Sequence, residues 1–329
     1  MAGYKQYDDC GPKFRRIGQG FCGSVWAAEG GTVAMKREDG GPGRSIRNDY
    51  NMHKVILEKH SQQKDQNSVC VPRWPRLVTG DASWWEANLC RFPQGYVACN
   101  VLCAERIPPL PQEVRDRLVD RYCPPAAAAT IKNNDADRDC LVRLYLGRRK
   151  FQNEARGRTF FSLRNYPMHL NQAEELGLNV MDYAHAMAET LAMMHWAAKI
   201  DANDVEFVLG GTQRTGIGEY TNDFFGTHGL WVLDFDCCRS MTMDDAGIEQ
   251  AARAFLKNDP YFPRPVTRSS SDSALWSEFR GRYLECSRPL LSLPSHLTLP
   301  EKFLARVEGI LEETLNRRSA LSNTDTPSN

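Results

Sequence analysis

The chain has no excess of charge of either sign: Lys and Arg total 41, and Asp and Glu total 41. Global steering of a polyanion is therefore not expected, and any contact with nucleic acid needs a local patch. There is no run of about 18 apolar residues, so no membrane-spanning helix is expected. The opening segment MAGYKQYDDCGPKF has no apolar core of the kind a secretory leader needs. Eleven cysteines are many, and the number is odd, yet no pair forms Cys-x-x-Cys. Cys99 and Cys103 lie four apart, Cys237 and Cys238 are adjacent, and no matching His-x-x-x-His follows. The spacing of a structural zinc site is thus lacking, and reduced cytoplasmic thiols are the expectation. No internal repeat is visible.

Hydrophobic residues make up 42% and charged residues 25%, the balance of a globular chain. The length of 329 residues suits one two-lobed domain or two small ones. Residues 14–36 alternate apolar and small residues around glycines, which predicts strand, glycine turn, strand, then a third strand TVAMK. GGPGRS reads as a loop, and IRNDYNMHKVILEKH as a helix over 46–60. RFPQGYVACNVLCAERI holds the next strands, and PPLP at 108–111 breaks the chain. QEVRDRLVDRYC reads as a helix and AAAATIKNNDADRD as a loose connection.

Residues 178–200 give the strongest helix, with Tyr183, Met187, Leu191, Met194 and Ala198 on a stripe suited to a core. VEFVL and LWVLDF read as two strands of a long hairpin, separated by the polar stretch 210–229. Helices follow at 244–257 and 300–318, and the tail from 319 to 329 is expected to be disordered.

One ordered set of residues carries chemistry. Gly18, Gly20 and Gly23 precede Val25 in IGQGFCGSVW, a pattern that lets backbone N–H groups approach a phosphate. Lys36 follows in VAMK, and Asp49 lies on the next predicted helix. Glu105 to Ile107, in AERI, suit a hinge whose backbone meets an adenine edge. Asp201 follows the long helix, and Asp234 opens an Asp-Phe-Asp triplet. In this order the residues resemble the protein-kinase signature set. That resemblance implies an α+β, two-lobed protein-kinase-like fold, with a β-rich lobe over 1–107 and a helical lobe over 108–318. It would have Lys36 neutralise phosphate, Asp49 hold Lys36, Asp201 accept a proton and Asp234 bind magnesium.

The departures are informative. Lys199 and Ile200 replace the usual His-Arg, Glu206 replaces a metal-binding Asn, and Asp236 replaces Gly. Asp201, Asp204, Glu206, Asp234 and Asp236 therefore form an acidic group that would repel phosphates unless a cation intervened. A guanidinium is such a cation, and carboxylates take it in a bidentate fork.

Arg143, Arg148, Arg149, Lys150, Arg156, Arg158 and Arg164 alternate with Tyr145, Phe151, Phe160 and Phe161. Such a segment suits RNA, or else a charged surface over a core edge. Trp84 and Trp85 read as packing residues, and His195 as a packed histidine at a helix end rather than a base. Cys237 and Cys238 sit beside acids, which raise a thiol pKa and make poor nucleophiles. Cys22 sits at the tip of the glycine loop.

RNDYNMHK, CAERIPPLP, MAETLAMMHWAAKIDANDVEFVLGG, LWVLDFDCCR and KNDPYFPRP also resemble a narrower group, a fungal family of kinase-like proteins. Its members often carry a zinc-finger label. The resemblance implies an arginine-containing cyclodipeptide synthase, which joins arginyl-tRNA and a second aminoacyl-tRNA into a diketopiperazine for secondary metabolism. An aminoacyl ester is already activated, so no cofactor would be consumed. Asp201 would then be the base, Asp204, Glu206, Asp234, Asp236 or Asp49 would meet substrate, and no metal, membrane or DNA would be involved. Two other readings stay open: a small-molecule phosphotransferase needing ATP and magnesium, and a kinase-like binding module without catalysis.

Overall fold

The computed structural model describes residues 11–63, 68–150, 161–212, 216–265 and 269–324. Strands β1 (Phe14–Gln19), β2 (Ser24–Ala28) and β3 (Val33–Arg37) form where the glycine-punctuated alternation predicts them. Helix α1 (Ile46–Gln62) starts at Ser45, whose hydroxyl accepts the Asn48 N–H at 3.2 Å. Ile46, Asp49, His53, Ile56 and His60 are buried along one face of it, at helical spacing. Strand β4 (Arg76–Val78), the short helix α2 (Trp84–Asn88) and strand β5 (Val101–Glu105) follow. The first sheet is antiparallel, in the order β1-β2-β3-β5-β4.

Phe14, Trp26, Met35, Trp85 and Phe92 pack together beside this sheet, so Trp85 is core as expected, while Trp84 is half-buried. Arg37 is buried among these rings, its guanidinium 4.6 Å from the centre of Phe92. Asp39 accepts from its Nε at 3.0 Å and the Val97 carbonyl from Nη2 at 2.6 Å. These contacts compensate the buried charge.

Helices α3 (Gln112–Tyr122) and α4 (Pro125–Lys132) come next. The alanine-rich stretch expected to be loose is thus helical. Pro125 stands in its first turn, where a missing N–H costs nothing. Strands β6 (Val142–Tyr145) and β7 (Tyr166–His169), helices α5 (Leu170–Glu175) and α6 (Val180–Ala192), and strands β8 (Glu206–Gly210), β9 (Glu219–Asn222) and β10 (Gly226–Leu233) follow. The second sheet runs β7-β6-β8-β10-β9, with β6 and β7 parallel. The expected hairpin is present as β8 and β10, and its polar insertion contributes β9.

Helices α7 (Asp245–Lys257), α8 (Ser270–Ser287) and α9 (Leu299–Thr324) complete the described chain. The last helix continues past 318 into the segment expected to be a disordered tail. The architecture is α+β, with two five-stranded sheets and helices gathered mainly beside the second.

Tyr183, Met187, Leu191 and Met194 are buried in the largest core cluster, as their spacing predicts. After Ala192 the helix widens into a π turn, Met193–Ala197. His195 is fully buried there, with Nδ1 2.8 Å from the Tyr283 hydroxyl. Burial pushes its imidazole down to about 3, so it is a neutral core residue. Nine described cysteines are free thiols. Cys90 is disulfide-bonded, so the expectation of uniformly reduced thiols does not hold there.

Candidate functional site

Two registers build the site. Val25 lies opposite Lys36, which sets the lysine beside the glycine turn. Leu233 lies opposite Glu206, which brings the start of β8 next to Asp234 at the end of β10. Between the two sheets lies a cleft of about 520 Å³. Its lining includes Gly18, Gly20, Gly23, Val25, Lys36, Asp49, Glu105, Ile107, Glu206 and Asp234. Ten residues singled out by their order in the chain thus share one cavity.

Lys36 Nζ donates to Asp49 Oδ2 and to Asp234 Oδ1, each at 2.6 Å. Burial works against its charge, but Asp49, Asp234 and Asp236 hold it well above the ordinary lysine range. Asp49 reaches the lysine despite its short side chain, and its second oxygen accepts the Phe235 N–H at 3.2 Å. Burial raises the Asp49 carboxyl, with Asp234 adding to the effect. Burial pushes Asp234 the same way, but Lys36 outweighs it and holds that carboxyl below its usual range.

Glu206 pairs with Arg143. Burial raises its carboxyl to about 7, Asp234 adds to this, and Arg143 opposes it. The cleft therefore holds one carboxyl poised to change protonation near neutrality.

The glycines divide by role. A side chain at Gly23, where φ is +152°, would meet the Arg37 carbonyl at 2.1 Å. At Gly20 it would meet nothing within 4 Å. The backbone at Arg37 demands the first; among the described residues no neighbour demands the second.

The acidic group does not stay together. Asp201, expected as the base, is absent from the cleft lining and 5% exposed. One oxygen accepts the N–H groups of Asn203 and Arg239 at 3.1 and 2.9 Å, and the other accepts from Gln250 Nε2 at 2.8 Å. It ties the chain before β8 to the chain after β10.

Asp204 and Asp236 also lie outside the lining. Arg44 Nη1 donates to Asp204 at 2.9 Å, Asp236 at 2.8 Å and the Cys237 sulfur at 2.6 Å. The intervening cation is therefore a residue of this chain. Sequence reasoning missed Arg44 because it sits in the glycine loop GGPGRS, distant in sequence from its partners. Burial and Asp236 raise the Cys237 thiol to about 11, and burial raises Cys22 to about 12. Both are inert thiols near neutrality. Asp204, Asp236 and Cys237 are also the one group among the described residues that could hold a metal ion. The Arg44 guanidinium occupies its donor atoms.

Among the described residues, six non-glycine residues have left-handed φ, and Lys199, Ala202, Asp204 and Asp234 are four of them. All four flank the joined ends of β8 and β10. Such strain persists only where its surroundings enforce it, and it concentrates at working sites.

The basic–aromatic segment divides as well. Arg143 and Arg164 line the cleft. Arg149 bonds Glu174 and Asp272, and Tyr145 is buried against Tyr261, so neither is open to an RNA base or phosphate. Arg148 is exposed, and the Lys150 N–H bonds Asn171. Arg156 and Arg158 lie outside the described residues.

These features define an α+β protein with a cleft between two sheets, bounded by a glycine turn and by buried, paired charges. A family model described as "DUF3669: Zinc finger protein" matches residues 230–294, from β10 through α8, and agrees with the zinc-finger label. No curated protein matches the chain.

Proposed function

We propose that the chain is a two-lobed, kinase-like protein whose cleft takes the terminal adenosine of an aminoacyl-tRNA. On this reading it joins arginine to a second amino acid as a cyclic dipeptide. The β-rich lobe would cover residues 1–107 and the helical lobe 108–318. The resemblance to the fungal kinase-like family supplies the substrates.

The observation that carries the chemistry is Glu206, a cleft carboxyl raised to about 7. The α-ammonium of an aminoacyl ester must lose a proton before it attacks, and an α-amino group titrates near 8. A base titrating near the operating pH suits that transfer. The free amine then attacks the carbonyl carbon of the other ester. The C–N bond forms, the ester C–O bond breaks, and the ribose hydroxyl leaves with a proton. A second attack of the same kind closes the ring. The base role expected of Asp201 passes to Glu206, because both Asp201 oxygens are already engaged.

Glu105 and Arg106 donate their N–H groups to the Arg73 and Thr32 carbonyls at 2.8 Å. An adenine edge would therefore be read at Ile107. Of the acids expected to grip a guanidinium, Asp236 already holds Arg44, Asp234 accepts from Lys36 and Glu206 pairs with Arg143, so the arginine substrate must displace one of these partners or find another. No cofactor is consumed on this reading.

One observation favours a second reading. Lys36 joins Asp49 and Asp234 at 2.6 Å each, an arrangement that also suits a magnesium-ATP phosphotransferase. Expression in a host, with mass spectrometry of the medium, separates the two readings. We expect an arginine-containing diketopiperazine, formed in vitro from aminoacyl-tRNA and abolished by ribonuclease. Nucleotide turnover without that product would overturn the proposal.

A further inference from the structure

A second cavity of about 430 Å³ adjoins the first at the end of β5. Glu105, Arg106 and Asp139 line both. Five arginines and three acids line the second one, so it carries an excess of positive charge. The acids orient the guanidinia. Asp139 accepts from Arg106 at 2.6 Å and also pairs with Arg15, and Glu29 accepts from Arg138 at 2.8 Å.

Trp74 stands in the same lining and is 64% exposed. Its φ is +56°, a conformation that bulky residues avoid, and Pro75 restricts it further. Arg73 lies over the indole, 4.6 Å from the ring centre. A large ring held in a strained backbone and left in water is not explained by packing.

We propose that this cavity binds a single-stranded ribonucleotide segment, with Trp74 as the stacking platform for a base and the surplus positive charge of the lining meeting phosphates. Arg115 leads that surplus: its guanidinium has no carboxylate partner among the described residues, whereas Arg15, Arg73, Arg106 and Arg138 are held by the three acids. Flat aromatic rings beside guanidinia are the common means of holding unpaired nucleotides. The shared wall at Arg106 gives the path: a strand whose terminal adenosine enters the first cleft crosses Arg106 and sets its next bases on Trp74. That path rests on the proposed adenosine reading, whereas the platform itself does not. An acidic peptide would use the arginines but would gain little from the exposed indole.

The test uses the full chain, a labelled single-stranded RNA ending in CCA, and aminoacyl-tRNA. Trp74→Ala should weaken RNA binding about tenfold or more, the effect of one lost base stack. Trp74→Phe should keep most of the affinity, and both variants should melt as the parent does. Trp74→Ala should also raise KM for aminoacyl-tRNA by more than it changes kcat, a split that a merely structural role would not give. RNA binding that depends on Trp74, with no cyclic dipeptide formed, would keep this site and sink the proposed function. Cyclic dipeptide formation with unchanged RNA affinity and KM in Trp74→Ala would overturn the site. So would Trp74-dependent capture of a polyglutamate peptide in place of RNA.

Discussion

At the scale of single residues, Glu206 faces the cleft while both oxygens of Asp201 are engaged by Asn203, Arg239 and Gln250. The folded Glu206 carboxyl titrates near 7, against an ordinary value of 4.5. Between those values the folded chain keeps a proton that the unfolded chain has lost. Stability from this group is therefore full at acid pH and is lost as pH rises toward 7. Glu206→Gln cannot ionise, so its melting temperature, measured from pH 4.5 to 7.5, should gain on the parent's as pH rises. Its turnover should fall by about a hundredfold or more, the usual worth of a positioned base.

Asp201→Asn should do the opposite. It disturbs the hydrogen bond from Gln250 and lowers the melting temperature, while the folded fraction keeps its turnover. A folded Asp201→Asn protein without activity would restore Asp201 as the base. The sequence placed both acids near the site, because both follow the long helix at kinase-like spacing. It did not show which one had its oxygens already engaged, since Gln250 and Arg239 arrive from after β10.

At the scale of elements, the glycine turn and α1 are the parts most legible in the sequence. Alternation, glycine spacing and the helical spacing over 46–60 are local signals, and the strands and the helix form where those signals stand. Gly20 and Gly23 are nevertheless not equivalent. Gly23→Ala should destabilise the chain by about 1–3 kcal/mol, because its side chain would overlap the Arg37 carbonyl. Gly20→Ala should change stability by about 1 kcal/mol or less. If the turn covers a ligand, Gly20→Ala should still weaken adenosine binding, as read by calorimetry. Helix α8 escaped notice because residues 270–287 mix serines with charges and show little amphipathic order. Its burial against α6 comes from tertiary packing.

At the scale of the whole molecule, the cleft belongs to both sheets, so a ligand bound there should steady the entire chain. Adenosine should raise the melting temperature by mass action, and magnesium should not be needed for that effect. A rise seen only with ATP and magnesium together would favour phosphate transfer. The sequence by itself determined the strands around the glycine turn, α1, the apolar stripe of α6 and the order of Lys36, Asp49, Asp234 and Glu206. These follow from spacing along the chain, which local sterics and burial translate directly into elements. Only the tertiary structure decided how the charges pair. It withdrew Asp201, gave Asp204 and Asp236 to Arg44, set Arg143 on Glu206, and put Trp74 beside five arginines. Ion pairs and cavities join residues tens to hundreds of positions apart, and a carboxylate's partner is fixed by what the fold brings within hydrogen-bonding distance.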